Sequence, residues 1–137
     1  MPVHQRRLKE VTFNVDGVEF QCQLSSWTLT NNTQEGETQY TYCPDGSFVE
    51  DTDPQWVLDL RFYSDWRSAG ISDFLWANAG ETVAFILDHH PDIAGEHVRW
   101  TGNVKLRQPS VGGDVRTTEV TQVTLSVVGE PTYERVV

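Results

Sequence analysis

Between Val11 and Val15 apolar and polar residues alternate, with Val11, Phe13 and Val15 set against Thr12 and Asn14. That two-residue period is the mark of a strand with one buried face. Asp16-Gly17 supplies a turn, and Val18, Phe20, Cys22 and Leu24 continue on one face, so the chain is predicted to open on a hairpin. The polar run Asn31 to Glu37 leads to a strand-like Thr38 to Cys43, after which Pro44-Asp45-Gly46 starts a long loop reaching about Pro54. Trp56, Leu58, Leu60 and Phe62 alternate with Asp59 and Arg61, which predicts a strand with one core face. Helical spacing occurs once, where Ile71, Phe74 and Leu75 fall at i, i+3 and i+4, with Ser72 or Ser68 as N-cap and Gly80 as stop. Glu81 to Asp88 holds Val83-Ala84-Phe85-Ile86-Leu87, apolar on both faces, and is expected to be the most buried strand, sandwiched between layers. His97 to Arg107 and Thr117 to Val128 return to alternation, and Gly129-Glu130-Pro131 is expected to end the last strand.

Some seven strands and one short helix, without α/β alternation, predict a mainly β fold. Its form is an antiparallel β-sandwich or partly open barrel with the α-helix packed on its flank. The faces opposite the core are rich in Thr, Gln, Asn and Ser as well as charges, so the sheet is expected to show a second face to water. Its long edges are then available to neighbouring subunits. Residues 1–10 read as a basic N-terminal arm and 11–137 as a single domain.

Composition narrows the function classes. With 38% hydrophobic residues in 137 and five Trp, four Tyr and six Phe, the chain is neither disordered nor, for want of a long apolar window, a helical membrane protein. Met1 to Arg7 is followed by no apolar segment, so a soluble, non-secreted product is expected. A net charge of −10 argues against wrapping of a phosphate backbone, yet the charge is uneven. Glu10 to Leu60 contains ten acidic residues and no basic one, whereas Arg6, Arg7 and Lys9 make the start basic. Opposite-sign surfaces on one small chain suit head-to-tail self-association. Cys22 and Cys43 lie in strand-like settings, able to face each other across a hairpin, and are expected as two buried thiols.

Catalytic signatures are wanting. Asp88-His89-His90-Pro91-Asp92, with Glu96 and His97 behind, contains metal-ligating residue types, but strand neighbours point to opposite faces and no HExxH helix aligns two imidazoles. A surface loop using them for local hydrogen bonds is the preferred reading, and a metal-dependent hydrolase on Asp88, His89, His90 and Asp92 the remote one. No GxSxG elbow, activated cysteine or phosphate-cradling loop is present. Glu50, Asp51 and Asp53 crowd one loop without an EF-hand register. The expectation is therefore a non-enzymatic protein with no cofactor and no metal. Of the five tryptophans, Trp56 and Trp100 fall in the core by parity, while Trp27, Trp66 and Trp76 are divided between core and interface.

Taken together, Asp53-Pro54-Gln55-Trp56-Val57-Leu58-Asp59-Leu60, Ile71-Ser72-Asp73-Phe74-Leu75-Trp76, Val83-Ala84-Phe85 leading to His90-Pro91-Asp92, His97-Val98-Arg99-Trp100-Thr101-Gly102, and Thr117-Thr118-Glu119 through Val127-Val128-Gly129-Glu130-Pro131-Thr132 form a pattern of order and spacing. In this the chain resembles the major tail protein, the tail tube subunit, of long non-contractile-tailed bacteriophages, over about residues 10 to 134. The resemblance implies a phage tail tube-like fold, stacked hexameric rings, a tape-measure protein inside, tail terminator and tail-tip proteins at the ends, and genomic DNA passing through the lumen without specific binding. It implies a virion protein, assembled in the host cytoplasm, with no membrane partner. By the same analogy the connection at 44–55, with Asp45, Glu50, Asp51 and Asp53, reaches an adjacent ring, and His4, Arg6, Arg7 and Lys9 are its candidate partners. Gln122, Thr124 and Ser126, with the Arg99 to Arg107 face, are candidates for lumen lining or outer solvent.

Elementary geometry accommodates that model. Four strands from each of six subunits close a barrel of about 50 Å backbone diameter at ~4.8 Å spacing and ~40° tilt, wide enough for duplex DNA. Six copies carry about −60 formally, and an acidic bore repels phosphate. Arg99, Lys105 and Arg107 fit such a bore poorly. The alternative class is a monomeric β-sandwich module binding carbohydrate or a host receptor through an exposed aromatic platform.

Overall fold

The alternating segments become strands in the computed structural model, which describes residues 2–136. In chain order they are β1 (Val11–Val15), β2 (Val18–Glu19), β3 (Leu24–Asn31), β4 (Thr38–Gln39), β5 (Phe48–Val49), β6 (Trp56–Tyr63), α1 (Ile71–Ala77), β7 (Thr82–His89), β8 (Val98–Lys105) and β9 (Val120–Arg135). Seven form one antiparallel sheet in the order β2-β1-β7-β8-β9-β6-β3, and β4 and β5 pair by themselves. The sheet curls strongly. Trp27 on the edge strand β3 reaches the ring of Trp100 on β8 at 6.0 Å and that of His89 on β7 at 5.6 Å, across three and four strand positions. The mainly β expectation therefore takes the form of a half-barrel from one bent sheet.

Its concave side is the core. Phe13, Leu58, Phe62, Phe85, Leu87, Val104 and Leu125 are essentially inaccessible; all but Phe85 and Leu87, which come from the run expected to be apolar on both faces, lie on the parity that alternation assigned to the inside. The helix α1 closes one side with Ile71 and Leu75 buried, and Phe74 packs on Phe20 at 5.6 Å between ring centroids. Burying a side chain of this size stabilises by about 1.5–3 kcal/mol, so the inward rows supply the main driving force.

Several local expectations are corrected. The N-cap of α1 is Gly70, not Ser68 or Ser72, and no side chain caps it. Ser72 is buried in the first turn, where its hydroxyl accepts the Asp65 N–H at 3.1 Å and its own N–H donates to the Asp65 carbonyl at 3.2 Å, pinning the preceding loop. The first hairpin is shorter than alternation suggested. A tight turn over Gln21–Gln23 takes the chain out of the sheet, leaving Val18 and Cys22 exposed while Phe20 stays buried. Cys43 is exposed too, because only Thr38 and Gln39 of the Thr38–Cys43 segment are strand; both cysteines are free thiols at the surface. The expectation of buried thiols fails on these two turns.

Strand β7 is one-sided: Phe85 and Leu87 are buried, but Ala84 and Ile86 are exposed, since none of the described residues forms a second layer over the outer face. Strand β9 does not end at Gly129-Glu130-Pro131. Gly129 adopts φ +74°, the register against β8 shifts between Thr101 and Asn103, and pairing resumes with Trp100 opposite Tyr133. Such a bulge lets the strand continue with stronger twist. Pro131 is tolerated because β6 ends its pairing at Trp56 opposite Val127, so the far side of β9 is an edge there.

Candidate functional site

Three surfaces carry the residues singled out by sequence. The first is the outer face of β3, β6, β9 and β8, four consecutive strands of the sheet. Directly opposed residues of an antiparallel pair share a face. The register therefore aligns Thr30, Val57, Ser126 and Lys105 in one row, Thr28, Asp59 and Thr124 in the next, and Ser26, Arg61 and Gln122 in a third. Gln122, Thr124 and Ser126 are all exposed on this face. The Asp59 carboxylate accepts from the Thr30 hydroxyl at 3.1 Å and the Thr124 hydroxyl at 2.6 Å, tying three strands together. Lys105 and Arg107 lie on the same face as the three lumen candidates, and Arg61 stands opposite Gln122, so this surface is not acidic. The segment Arg107–Ser110 borders a polar groove of about 450 Å³ on it.

The second surface is the connection from β3 to β6. Asn32 N–H donates to the Gln55 carbonyl at 2.6 Å and Gln55 N–H to the Thr33 hydroxyl at 2.9 Å, closing the base. Beyond that base the chain makes the β4–β5 hairpin, in which no residue is buried. Asp45, Glu50, Asp51 and Asp53 are exposed along it, and among the described residues none of them forms an ion pair. Tyr40, Tyr42, Phe48 and Val49 are exposed as well, and sequence reading missed them. Strand alternation offered no signal, because a β-propensity run without a partner layer looks the same as a half-buried one.

The third surface is the N-terminal arm. Residues 2–10 have no regular secondary structure and are exposed throughout. His4 hydrogen-bonds the Glu96 carboxylate, and Arg6 Nε donates to its other oxygen at 2.7 Å. The His4 hydrogen bond, then the Arg6 contact, holds the Glu96 carboxyl below the usual range. Arg7 and Lys9 make no ion pair among the described residues, and Arg6 is engaged with its own body. The structure brings the arm to the loop that follows β7, not to the acidic hairpin; Glu96 was not foreseen as its anchor.

The Asp-His run divides as alternation requires. Asp88 is 7% exposed on the outer side, where Arg99 grips both its oxygens at 2.6 and 3.2 Å and His97 lies at 3.5 Å. Burial raises the Asp88 pKa, but the Arg99 hydrogen bonds and charge, with help from His97, carry it below the ordinary value. His89 points to the core side against Trp27 and Trp100, stacked on His90 at 4.4 Å, and burial followed by the charge of His90 lowers its pKa. Among the described residues no three His, Cys, Asp or Glu side chains converge as metal ligands. Trp27, Trp56 and Trp100 pack against the core, while Trp66 and Trp76 remain partly exposed.

These features define a curled antiparallel half-barrel with one solvent-facing polar sheet face and two extended appendages. No protein-family model matches the chain, and no curated protein matches it by sequence. Among solved structures the chain is similar to a protein in the cryo-EM structure of an extracellular contractile injection system, described as the PVC sheath/tube terminator in the extended state. The match has a TM-score of 0.66 at 12% identity and covers 96% of this chain and 98% of that one. At that identity the likeness is one of fold, extending over almost the whole of both chains. The fold is thus shared with that protein.

Proposed function

We propose that this protein is a non-enzymatic structural subunit of a phage tail, closing hexameric rings that stack into the tail tube around a tape-measure protein and later conduct DNA. The observation that carries this reading is the four-strand run β3-β6-β9-β8, polar on its outer face, with an unburied 24-residue connection (residues 32–55) projecting between β3 and β6. Six such runs give the 24 strands of a bore about 50 Å across at the backbone. The β4–β5 hairpin supplies exposed apolar and acidic groups for a contact between rings, and the arm with Arg7 and Lys9 supplies basic ones. Particle location in a virion, with terminator and tail-tip proteins as end partners, belongs to the same proposal. A second reading is favoured by the fold likeness to a sheath/tube terminator: a ring-forming subunit that caps the tube instead of building it.

The two readings differ in stacking. Purified protein at high concentration, imaged by negative stain, is expected to give rings that stack into tubes of variable length. Single rings that never stack would instead support a terminator, and the absence of any ring would contradict both. The alternative of a monomeric carbohydrate- or receptor-binding module predicts a Trp fluorescence shift with glycans in a protein that stays monomeric. Trp66 and Trp76 are the partly exposed indoles able to report it.

A further inference from the structure

Around the polar groove on the exposed face of β6, β9 and β8 stand three cations and one carboxylate, in a chain whose net charge is −10, while Arg99 and Glu134 further along the same face are paired with each other. Arg61, Lys105 and Arg107 are exposed, and none forms an ion pair among the described residues. The carboxylate, Asp59, is occupied on both oxygens by Thr30 and Thr124. Arg61 and Arg107 border the same groove, with Gln122, Thr124 and Thr28 between and beside them. Lys105 and Arg107 border the adjoining depression with Ser126.

We infer that this groove is a phosphodiester-binding site, with Arg61, Lys105 and Arg107 as its cations and duplex DNA as its occupant. Arg, Lys, Ser, Thr and Gln are the side chains that contact phosphate and sugar without reading sequence. The guanidinium fork matches phosphate oxygens, and the neutral hydroxyls add donors. The choice of DNA over another polyanion rests on the tail reading, in which this face lines the bore. The consequence runs against a uniformly repulsive lumen: weak, sequence-blind contacts repeat along the wall, within an otherwise acidic subunit whose long-range field keeps them weak.

The test is fluorescence anisotropy of a labelled 20-base-pair duplex with the purified full-length protein over a salt series starting near 20 mM, with negative-stain images of the same samples. Three cations predict a slope of log K against log salt of about −2.7, falling to about −0.9 in Arg61→Gln/Arg107→Gln. Arg67→Gln, on a side chain paired with Asp65 away from the groove, is expected to keep the wild-type slope. No binding near 20 mM salt, or an unchanged slope in the double variant, overturns the inference. So does a double variant that loses ring stacking while its DNA slope stays the same, which would make the groove a contact for the acidic hairpin of a second copy. Rings without DNA binding sink this inference and leave the tail reading standing; DNA binding without rings does the reverse.

Discussion

Replacing residues 35–52 with a short Gly-Ser linker removes the β4–β5 hairpin and leaves its base, where Asn32 and Thr33 bond Gln55. No residue of the connection 32–55 is buried, and none belongs to the core cluster, so the deletion costs no apolar burial within one subunit. It shortens a loop of about 22 residues to about 6. Loop-closure entropy scales as 3/2 RT ln n, so the folded monomer gains about 1 kcal/mol. For a domain of this size that raises Tm by about 4 °C. Differential scanning calorimetry of the dilute protein is expected to show this small rise. Sedimentation velocity of the concentrated protein is expected to show loss of stacked species, because Tyr40, Tyr42, Phe48 and the carboxylates of Asp45, Glu50 and Asp51 go with the hairpin. A fall in Tm of more than about 8 °C would refute the view that the hairpin is independent of the core. Tubes assembled by the variant at wild-type concentration would refute its role between rings.

Asp88→Asn weakens the grip of Arg99 and is expected to destabilise the fold by about 2 kcal/mol, below the range for a fully buried pair because Arg99 is one-third exposed; urea unfolding measures it. Since the Asp88 pKa is lowered in the folded state, its contribution is present above the ordinary carboxylate pKa and is lost as pH falls from there through the folded value. Stability should therefore drop below about pH 4 in the wild type and less steeply in Asp88→Asn. The lowered pKa of His89 acts in a higher window: as pH falls below about 6.5 the unfolded chain takes up a proton that the folded one does not. Tm is expected to decline from pH 7 to 5, and His89→Gln should flatten that slope. Both Cys22 and Cys43 should react with a thiol reagent such as DTNB in the native protein at the rate of free thiols, and only after denaturation if they were buried.

Where apolar and polar residues alternate strictly, as in β6 and β9, the buried face was legible, whereas β7, apolar at consecutive positions, was read as buried on both faces and is buried on one. Leu58, Leu60 and Phe62 against Asp59 and Arg61, or Val123, Leu125 and Val127 against Gln122, Thr124 and Ser126, are assigned by alternation alone and lie where it put them. Strand order was not legible, because pairing between β6 and β9, or β1 and β7, joins segments more than fifty residues apart with no local signal. That order is what places Lys105 and Arg107 beside Gln122 and Thr124, so the mixed charge of the face was foreseen only as a difficulty. Turns were the other weak point. Gln21–Gln23 contains neither Gly nor Pro, yet it ends the first hairpin and exposes Cys22, whereas Gly129-Glu130-Pro131 looks like a terminus and is a bulge inside β9. Charge segregation pointed to the arm and the hairpin as contact elements, but only the three-dimensional structure shows the arm held by Glu96.

The central claim is ring formation, and electron microscopy of the concentrated full-length protein across a salt series, with sedimentation velocity on the same samples, tests it most directly. Six-fold rings or tubes with a central bore, the β3-β6-β9-β8 face turned inward, are the predicted result. A strictly monomeric protein at every concentration and salt, with no ring in any field, would contradict the account.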